Sequence, residues 1–433
     1  MYGEVMENKI MEEIFNFYVN SHDFNGIPLP DLEKKFQFIE TKSIIADLIL
    51  EGKITIETDL NPHIKRFTEP LAGKQLDELE TYSGPICVYP SPSYLKENVD
   101  PDEFINLPFK RELLLGEGHL ESLFFDLSVL DYYFNDPRYI VSNFDYHGSI
   151  SIKDEFYLDN DILERDKISL QTFGLGFNED GEKVVTAFLG YLSRLSPEHQ
   201  QRWNTYKITE KCYIDPDYFR NQILGEWAEY VSIFKAFCEE LYQINEMCKL
   251  IFKPPLFKND FKEKRPDDFK IFLRPTLKNY SEFVHILDKM LSENINREFF
   301  KGEINFDDNI KRRDGRIEVR PKGSIRIFEE WLKLYYNTDD ENYKLIFDPI
   351  KDIRKQRQDP AHKINEDKYD KAYHEKQDEI MRSAYISVRD IRLALSNHPD
   401  IKEYKVPDWL YEGKIRGYTK KELKMLKNVY KPK

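Results

Sequence analysis

Arg357 and His362 are the pair in this chain whose types and spacing best suit work on a phosphodiester. They lie in the polar run Arg354-Lys-Gln-Arg-Gln-Asp-Pro-Ala-His362, with four residues between them. In one unbroken α-helix, five positions turn through roughly 140°, which would send the two side chains apart. Pro360 removes that objection, because it disfavours the helical conformation at Asp359 and has no N–H to donate. The sequence therefore predicts that the helix carrying Arg357 stops there, with Asp359-Pro360 as N-cap and first residue of a new helix. His362 would fall in that first turn, where free N–H groups and the positive end of the dipole favour a bound anion.

RNA brings its own nucleophile, the 2′-hydroxyl, so cleavage at such a pair needs no metal, and no cofactor is expected. His362, with a reference pKa of about 6.5, suits the base that takes the 2′-proton, and a helix N-terminus would keep it neutral. Arg357 would hold the phosphate through its planar fork of donors. One histidine leaves the 5′-oxygen without an acid.

Spacing alone does not single out this pair. The chain has 9 histidines, and Arg194/His199 and Arg392/His398 satisfy similar spacings. Arg194 is followed by Leu195, and Arg392 by Leu393 within an apolar-periodic helix. Only Arg357 lies in a polar run between two amphipathic helices, at an expected helix junction.

The stretch from about Ser324 to His398 resembles the HEPN domain, a helical bundle common in prokaryotic toxins and antiviral effectors. Ribonuclease members carry Arg-x(4–6)-His on their inner helices, and the matching residues here are Arg357 and His362. Gln358 follows the arginine, and a polar residue there is common in the family. The resemblance implies a metal-independent endoribonuclease that leaves 2′,3′-cyclic phosphate ends. It also implies a homodimer or higher oligomer in which two protomers bring their motifs together and supply the missing groups. A protein partner or antitoxin is in keeping with it.

Composition narrows the rest. Hydrophobic residues make up 40% and aromatic residues 14% of the 433 residues, which suits several folded domains rather than a disordered chain. A net charge of −14 argues against a general nucleic-acid coat, since non-specific binding rests on phosphate neutralisation. Any RNA contact must be local. No apolar run approaches the roughly 18–20 residues of a membrane helix, and no secretion signal is visible. Cys87, Cys212, Cys238 and Cys248 form no C-x2-C pair, so neither zinc nor a disulfide framework is expected. The expected location is cytoplasmic.

The elements that must hold the site follow in order. Residues 1–70 read as three helices and a short hairpin, a winged-helix-like domain. Thr41 opens its third helix, which offers Lys42 against Asp47 and Glu51. That charge favours a protein-contact module, although His63, Lys65 and Arg66 in the wing suit DNA. Residues 71–84 read as a polar linker. Residues 85–215 read as a mixed α/β domain of unassigned role. Its expected elements are a strand at 85–89, a helix at 121–134, a hairpin over 139–156, and a second hairpin of 168–177, a turn at Asp180-Gly181 and Lys183 onward, leading into a helix that ends near Leu195. Gly174-x-Gly176 lies within a strand pattern and makes no phosphate loop. Asp145, His147 and Asp154 fit a solvated hairpin face better than a metal set.

Residues 218–405 read as the HEPN-like helical domain, with helices near 218–252, 279–300 and from Ser324. Asp348-Pro349 starts the Arg357 helix, and a long return helix begins at Asp359-Pro360. The loop 311–326 holds seven basic and two acidic residues, and residues 406–433 form a basic tail. Arg354, Gln358, Lys363, Arg313 and Arg316 are the candidate RNA contacts. The expected fold is thus α+β multidomain and mostly α. The expected function is a HEPN-type endoribonuclease acting as a toxin or antiviral effector. The alternatives are a non-catalytic HEPN scaffold that docks a partner, and a winged-helix transcriptional regulator.

Overall fold

Ile10, Met11 and Ile14 recur at helical spacing and form the buried stripe of α1 (Tyr2–Asn20). The computed structural model describes residues 2–37, 41–58, 61–65, 71–100, 102–228, 230–336, 340–358 and 366–416. The fold is mixed α+β, and the chain divides into two units, Met1–Glu226 and Trp227–Lys433. Among the described residues no helix is long and apolar enough to cross a membrane.

In the first unit, α1 is followed by β1 (Ile27–Pro28), α2 (Leu29–Phe36), α3 (Thr41–Leu50) and β2 (Ile54–Glu57). Gly52, at φ +71°, makes the left-handed turn between α3 and β2 that a side chain would resist. Residues 72–81, expected as a linker, form α4 (Ala72–Thr81). Its surface is polar, but Gln75 and Leu79 make a narrow buried stripe, and Gln75 Oε1 accepts the N–H of Ile56 at 2.9 Å. β3 (Cys87–Pro90), expected to open the middle region, pairs antiparallel with both β1 and β2 in the order β1-β3-β2. β2 therefore finds its partner well beyond the local hairpin expected for it.

Two short helices follow: α5 (Pro92–Asn98), capped by Ser91 accepting from Tyr94 N, and α6 (Pro108–Leu114). The next elements build a seven-stranded antiparallel sheet. They are β4 (Ser122–Phe125), α7 (Asp131–Asn135), β5 (Tyr139–Phe144), β6 (His147–Ile152), α8 (Asp154–Tyr157), β7 (Ser169–Asn178) and β8 (Lys183–Phe188). Then come α9 (Leu189–Leu192), α10 (Pro197–Thr205), β9 (Lys207–Ile208), β10 (Cys212–Ile214) and α11 (Pro216–Phe219). The order is β5-β6-β7-β8-β4-β9, with β10 also on β7. Both expected hairpins form. The helix expected over 121–134 forms only in its second half, as a 3₁₀ turn at Leu127–Leu130 and α7, because Leu123 and Phe125 alternate inward and β4 pairs with β8. Gly174 lies in β7 because a Cβ there would meet the Tyr218 ring at 2.2 Å, so this glycine serves packing.

In the second unit, β11 (Val231–Ser232) leads into α12 (Ile233–Ile251), whose cap is Ser232. The expected helix over 218–252 is thus interrupted after a π-turn at Arg220–Leu224. α13 (Leu277–Met290) is capped by Thr276, which accepts from Asn279 N at 3.2 Å. The basic loop is a hairpin, β12 (Asp307–Lys311) and β13 (Ile317–Pro321), turning at Asp314-Gly315. The alternation of Ile317 and Val319 after that dipeptide was its signal. The remaining elements are α14 (Ser324–Tyr335), α15 (Asp340–Gln358), α16 (Ala372–Ser396), α17 (Asp408–Tyr411) and β14 (Ile415–Arg416), the last parallel to β11.

One core joins these helices. α16 lies between α12 and α15, and α15 also meets α13 and α14. Ile380, Ala384, Val388, Ile391 and Leu395 form the buried face of α16 as their spacing predicts. Pro349 does not start the Arg357 helix; it lies inside α15. A proline there removes one donor from the ladder and crowds the carbonyls of the preceding turn. The buried Ser387 hydroxyl donates to Ile346 O at 2.6 Å, satisfying a carbonyl in that turn. The long return helix α16 is described from Ala372, and the start expected for it at Asp359-Pro360, with His362 in its first turn, lies outside the described residues.

Candidate functional site

Arg354 and Arg357 lie three positions apart in the last turns of α15, so both project from one face. That face meets the end of α13. Arg357 Nη1 donates to Asp288 Oδ2 at 2.5 Å, and Arg354 Nη1 donates to the same oxygen at 2.7 Å. Asp288 has no exposed side-chain surface, whereas Arg357 keeps 25% and Arg354 39%. The Ser292 hydroxyl also donates to Asp288 Oδ1.

Glu293, just beyond α13, is the second acid. It accepts from Arg357 Nη1, and from Arg354 Nη1 at 3.3 Å. Hydrogen bonding to Arg357 holds its carboxyl below the usual range, and its bond to Arg354 adds to this. The same bonds, Glu293 first and then Asp288, raise the Arg357 guanidinium further above neutrality. Neither contact of Arg357 uses Nε or Nη2, so one edge of its fork is left by these acids.

The turn that carries Glu293 is itself held. Asn294 donates through Nδ2 to Asn259 O at 2.7 Å and accepts from Asn259 N at 2.9 Å. Lys258 Nζ donates to Glu293 O at 2.7 Å. Beyond α15, Asp367 accepts from Lys278 N at 2.9 Å in the first turn of α13, and Tyr369 bridges to Thr276. His362, Lys363, Asp359 and Pro360 lie outside the described residues.

Gln358 is exposed at the end of α15. Gln356 is committed: it accepts from Tyr280 OH at 2.6 Å and donates to Asp352 at 2.7 Å. Asp352 thus pairs with Gln356, while Arg357 pairs with Asp288 and Glu293. Asp352 belongs instead to a groove of about 710 Å³ lined by Tyr280, Pro349, Asp352, Gln356, Glu379 and Ile380. Three acids line it (Asp348, Asp352 and Glu379) against two lysines (Lys344 and Lys376), a balance that does not favour phosphate. Arg313 and Arg316 are exposed on the β12–β13 hairpin turn, Arg316 standing 3.8 Å from Asp314. Among the described residues no group of three or more His, Cys, Asp or Glu side chains could hold a metal ion.

The other Arg/His pairs do not converge. Arg194 bonds Asp23 at 3.1 Å, while His199 is buried against the Tyr133 hydroxyl at 2.7 Å. Arg392 forms a buried ion pair with Glu240, while His398 accepts from Asp400 N at 3.3 Å. In the segment after β2, Lys65 is buried and donates to Gly116 O at 2.8 Å, so it presents no charge to DNA.

Sequence reasoning missed Asp288 and Glu293, which lie on or beside α13. Nothing local marks them, because their partners lie more than a helix away in sequence. Compared with family models, with curated proteins and with solved structures, the chain matches none.

Proposed function

We propose that the Trp227–Lys433 unit is a metal-independent endoribonuclease of the HEPN type, serving as a toxin or antiviral effector. Arg357 holds the scissile phosphate and His362 carries a proton. The observation that supports this reading most is the two-arginine cluster seated on the buried carboxylate of Asp288. A guanidinium anchored by one nitrogen is pre-oriented, and its remaining donors suit a phosphate oxygen. Arg354, Gln358, Lys363 and the hairpin residues Arg313 and Arg316 would steer RNA to it. The order β1-β3-β2 around α2 and α3 favours a winged-helix-like N-terminal part. Its acidic third helix and buried Lys65 favour a protein contact over DNA.

The non-catalytic scaffold reading has its own support. Arg354 and Arg357 are already paired with two acids, as residues of a purely structural junction would be.

One experiment separates the two. Incubated with structured RNA and excess chelator, the protein should cut single-stranded loops and leave 2′,3′-cyclic phosphate and 5′-hydroxyl ends. His362→Ala should abolish cutting. Arg357→Lys should nearly do so, because a point charge lacks the fork. Arg194→Ala serves as the control and should stay active. RNA left intact by the wild type, with trigger and partners supplied, decides for the scaffold. In the ribonuclease reading the protein assembles as a homodimer with residues 350–365 of two chains close together; a strict monomer counts against that arrangement.

A further inference from the structure

Arg202 stands on α10, and its guanidinium carbon lies 3.9 Å from the centroid of the Tyr132 ring on α7. The two helices are locked together beside it. Trp203 is fully buried, meets the Phe125 ring edge-on at 4.9 Å and donates to the Tyr133 hydroxyl at 3.0 Å. The main chain closes the same corner, where Asp126 N donates to Tyr206 O at 3.0 Å. Between these walls lies a cleft of about 420 Å³, lined by Val129, Tyr132, Asp136, Pro137, Arg202 and Tyr206 among others.

We propose that this cleft binds a small organic monocarboxylate, with its two oxygens on the Arg202 fork and its apolar body against Pro137 and the Tyr206 ring. The site belongs to the Met1–Glu226 unit and stands apart from the ribonuclease reading.

The charge on Arg202 has no acid to answer it. Acidic residues outnumber Lys and Arg 78 to 64 in this chain, so carboxylates are plentiful. Arg138, Arg165, Arg194 and Arg220 in the same unit each meet one. Among the described residues Arg202 meets none. Asp136 lines the same cleft, but its oxygens are taken by Arg138 Nε and Nη2, at 3.0 and 2.7 Å. The Tyr132 ring engages the guanidinium through its charge and consumes none of its five N–H donors. The arginine is thus seated by a contact that leaves its hydrogen bonding for a ligand.

Carboxylate fits the charge count better than phosphate. Among the described residues that line the cleft, Arg202 is the one cation. Asp136 shares Arg138 with Asp166, so that neighbouring cluster has no positive charge to spare. A carboxylate balances Arg202 one to one, whereas a phosphate monoester brings about −1.5 to −2 at pH 7. The planar fork also matches two oxygens held in one plane. An apolar wall with one oriented polar group is the usual make-up of a small-molecule site.

Calorimetric titration of the full chain at pH 7 tests this with benzoate, its uncharged isostere benzamide, and phenyl phosphate. Benzoate should saturate one site and bind about 10- to 100-fold more tightly than benzamide, the worth of hydrogen bonding between charged groups. Phenyl phosphate should bind more weakly than benzoate. Arg202→Gln should lose the same factor for benzoate. Arg194→Gln, whose arginine already serves Asp23, should bind as the wild type does. Melting curves check that both variants are folded. Equal binding of benzoate and benzamide by the wild type overturns the proposal with no variant involved, and so does the absence of benzoate binding. Full-strength benzoate binding by Arg202→Gln overturns the site. Tighter binding of phenyl phosphate overturns the carboxylate assignment.

Discussion

Arg357 sets one guanidinium nitrogen 2.5 Å from the carboxylate of Asp288, 69 positions earlier in the chain and on another helix. Asp288 has no exposed surface, so its charge is tolerable only while cations face it. Glu293 differs, being 40% exposed. A phosphate approaching Arg357 would therefore displace Glu293 and leave Asp288 as the anchor. The two acids that hold one arginine thus have different uses.

Glu293→Gln should strengthen RNA binding by about two- to five-fold, the worth of a lost exposed ion pair. Titration of labelled RNA at fixed salt would show it. Unchanged or weaker binding would mean that Glu293 does not compete with the phosphate.

Asp288→Asn should act oppositely, keeping the shape but removing the charge that seats both arginines. A loss of about 1–3 kcal/mol in stability is expected for a buried hydrogen-bonded acceptor, read from the urea midpoint. RNA binding should weaken as well, because the guanidinium loses its fixed orientation.

Glu240 and Arg392 tie α12 to α16 within the core, with Arg392 Nη2 at 3.2 Å and Tyr385 OH at 3.4 Å from Glu240 Oε1. Either single alanine variant should cost about 3–5 kcal/mol, because the surviving charge stays buried. Replacing both by leucine should cost much less. A double-mutant cycle in denaturant measures the difference, and additive losses would show that the pair is not coupled.

His199 gives the first unit a pH dependence. Burial, and then Arg202, push its pKa down from 6.5 to about 4. Trp203 Nε1 donates to the Tyr133 hydroxyl at 3.0 Å, and that hydroxyl meets His199 Nδ1 at 2.7 Å. The network needs the neutral ring as acceptor. Above pH 6.5 neither the folded nor the unfolded state binds the proton. Between 6.5 and 4 only the unfolded state does, so stability falls as the pH drops through that window, by up to about 1.4 kcal/mol per unit. His199→Gln should flatten the slope in urea titrations at stepped pH. An unchanged slope would assign it to other groups.

Local patterns in the sequence determined a good deal here. Ile10 and Ile14, and Ile380 through Leu395, carry the helical period that one-sided burial demands. Asp180-Gly181 between two alternating runs announced β7 and β8. Polarity at Arg354–Gln358 marked the end of α15 as a place for solvent and ions. What failed was decided by partners distant in the chain. Ser122–Phe125 is a strand because β8 and β9 offer it edges, and residues 72–81 are a helix because β2 offers Gln75 an N–H. Pro349 sits inside α15, whose path through the core outweighs one lost hydrogen bond and where Ser387 covers a nearby carbonyl. The partners of Arg357 followed the same rule. Asp352 lies near Arg357 in sequence, but a helical turn directs Asp352 to Gln356 and the arginine to α13. Only the tertiary fold brings Asp288 and Glu293 to that arginine, because a buried carboxylate and its cations are joined through space and leave no spacing to read.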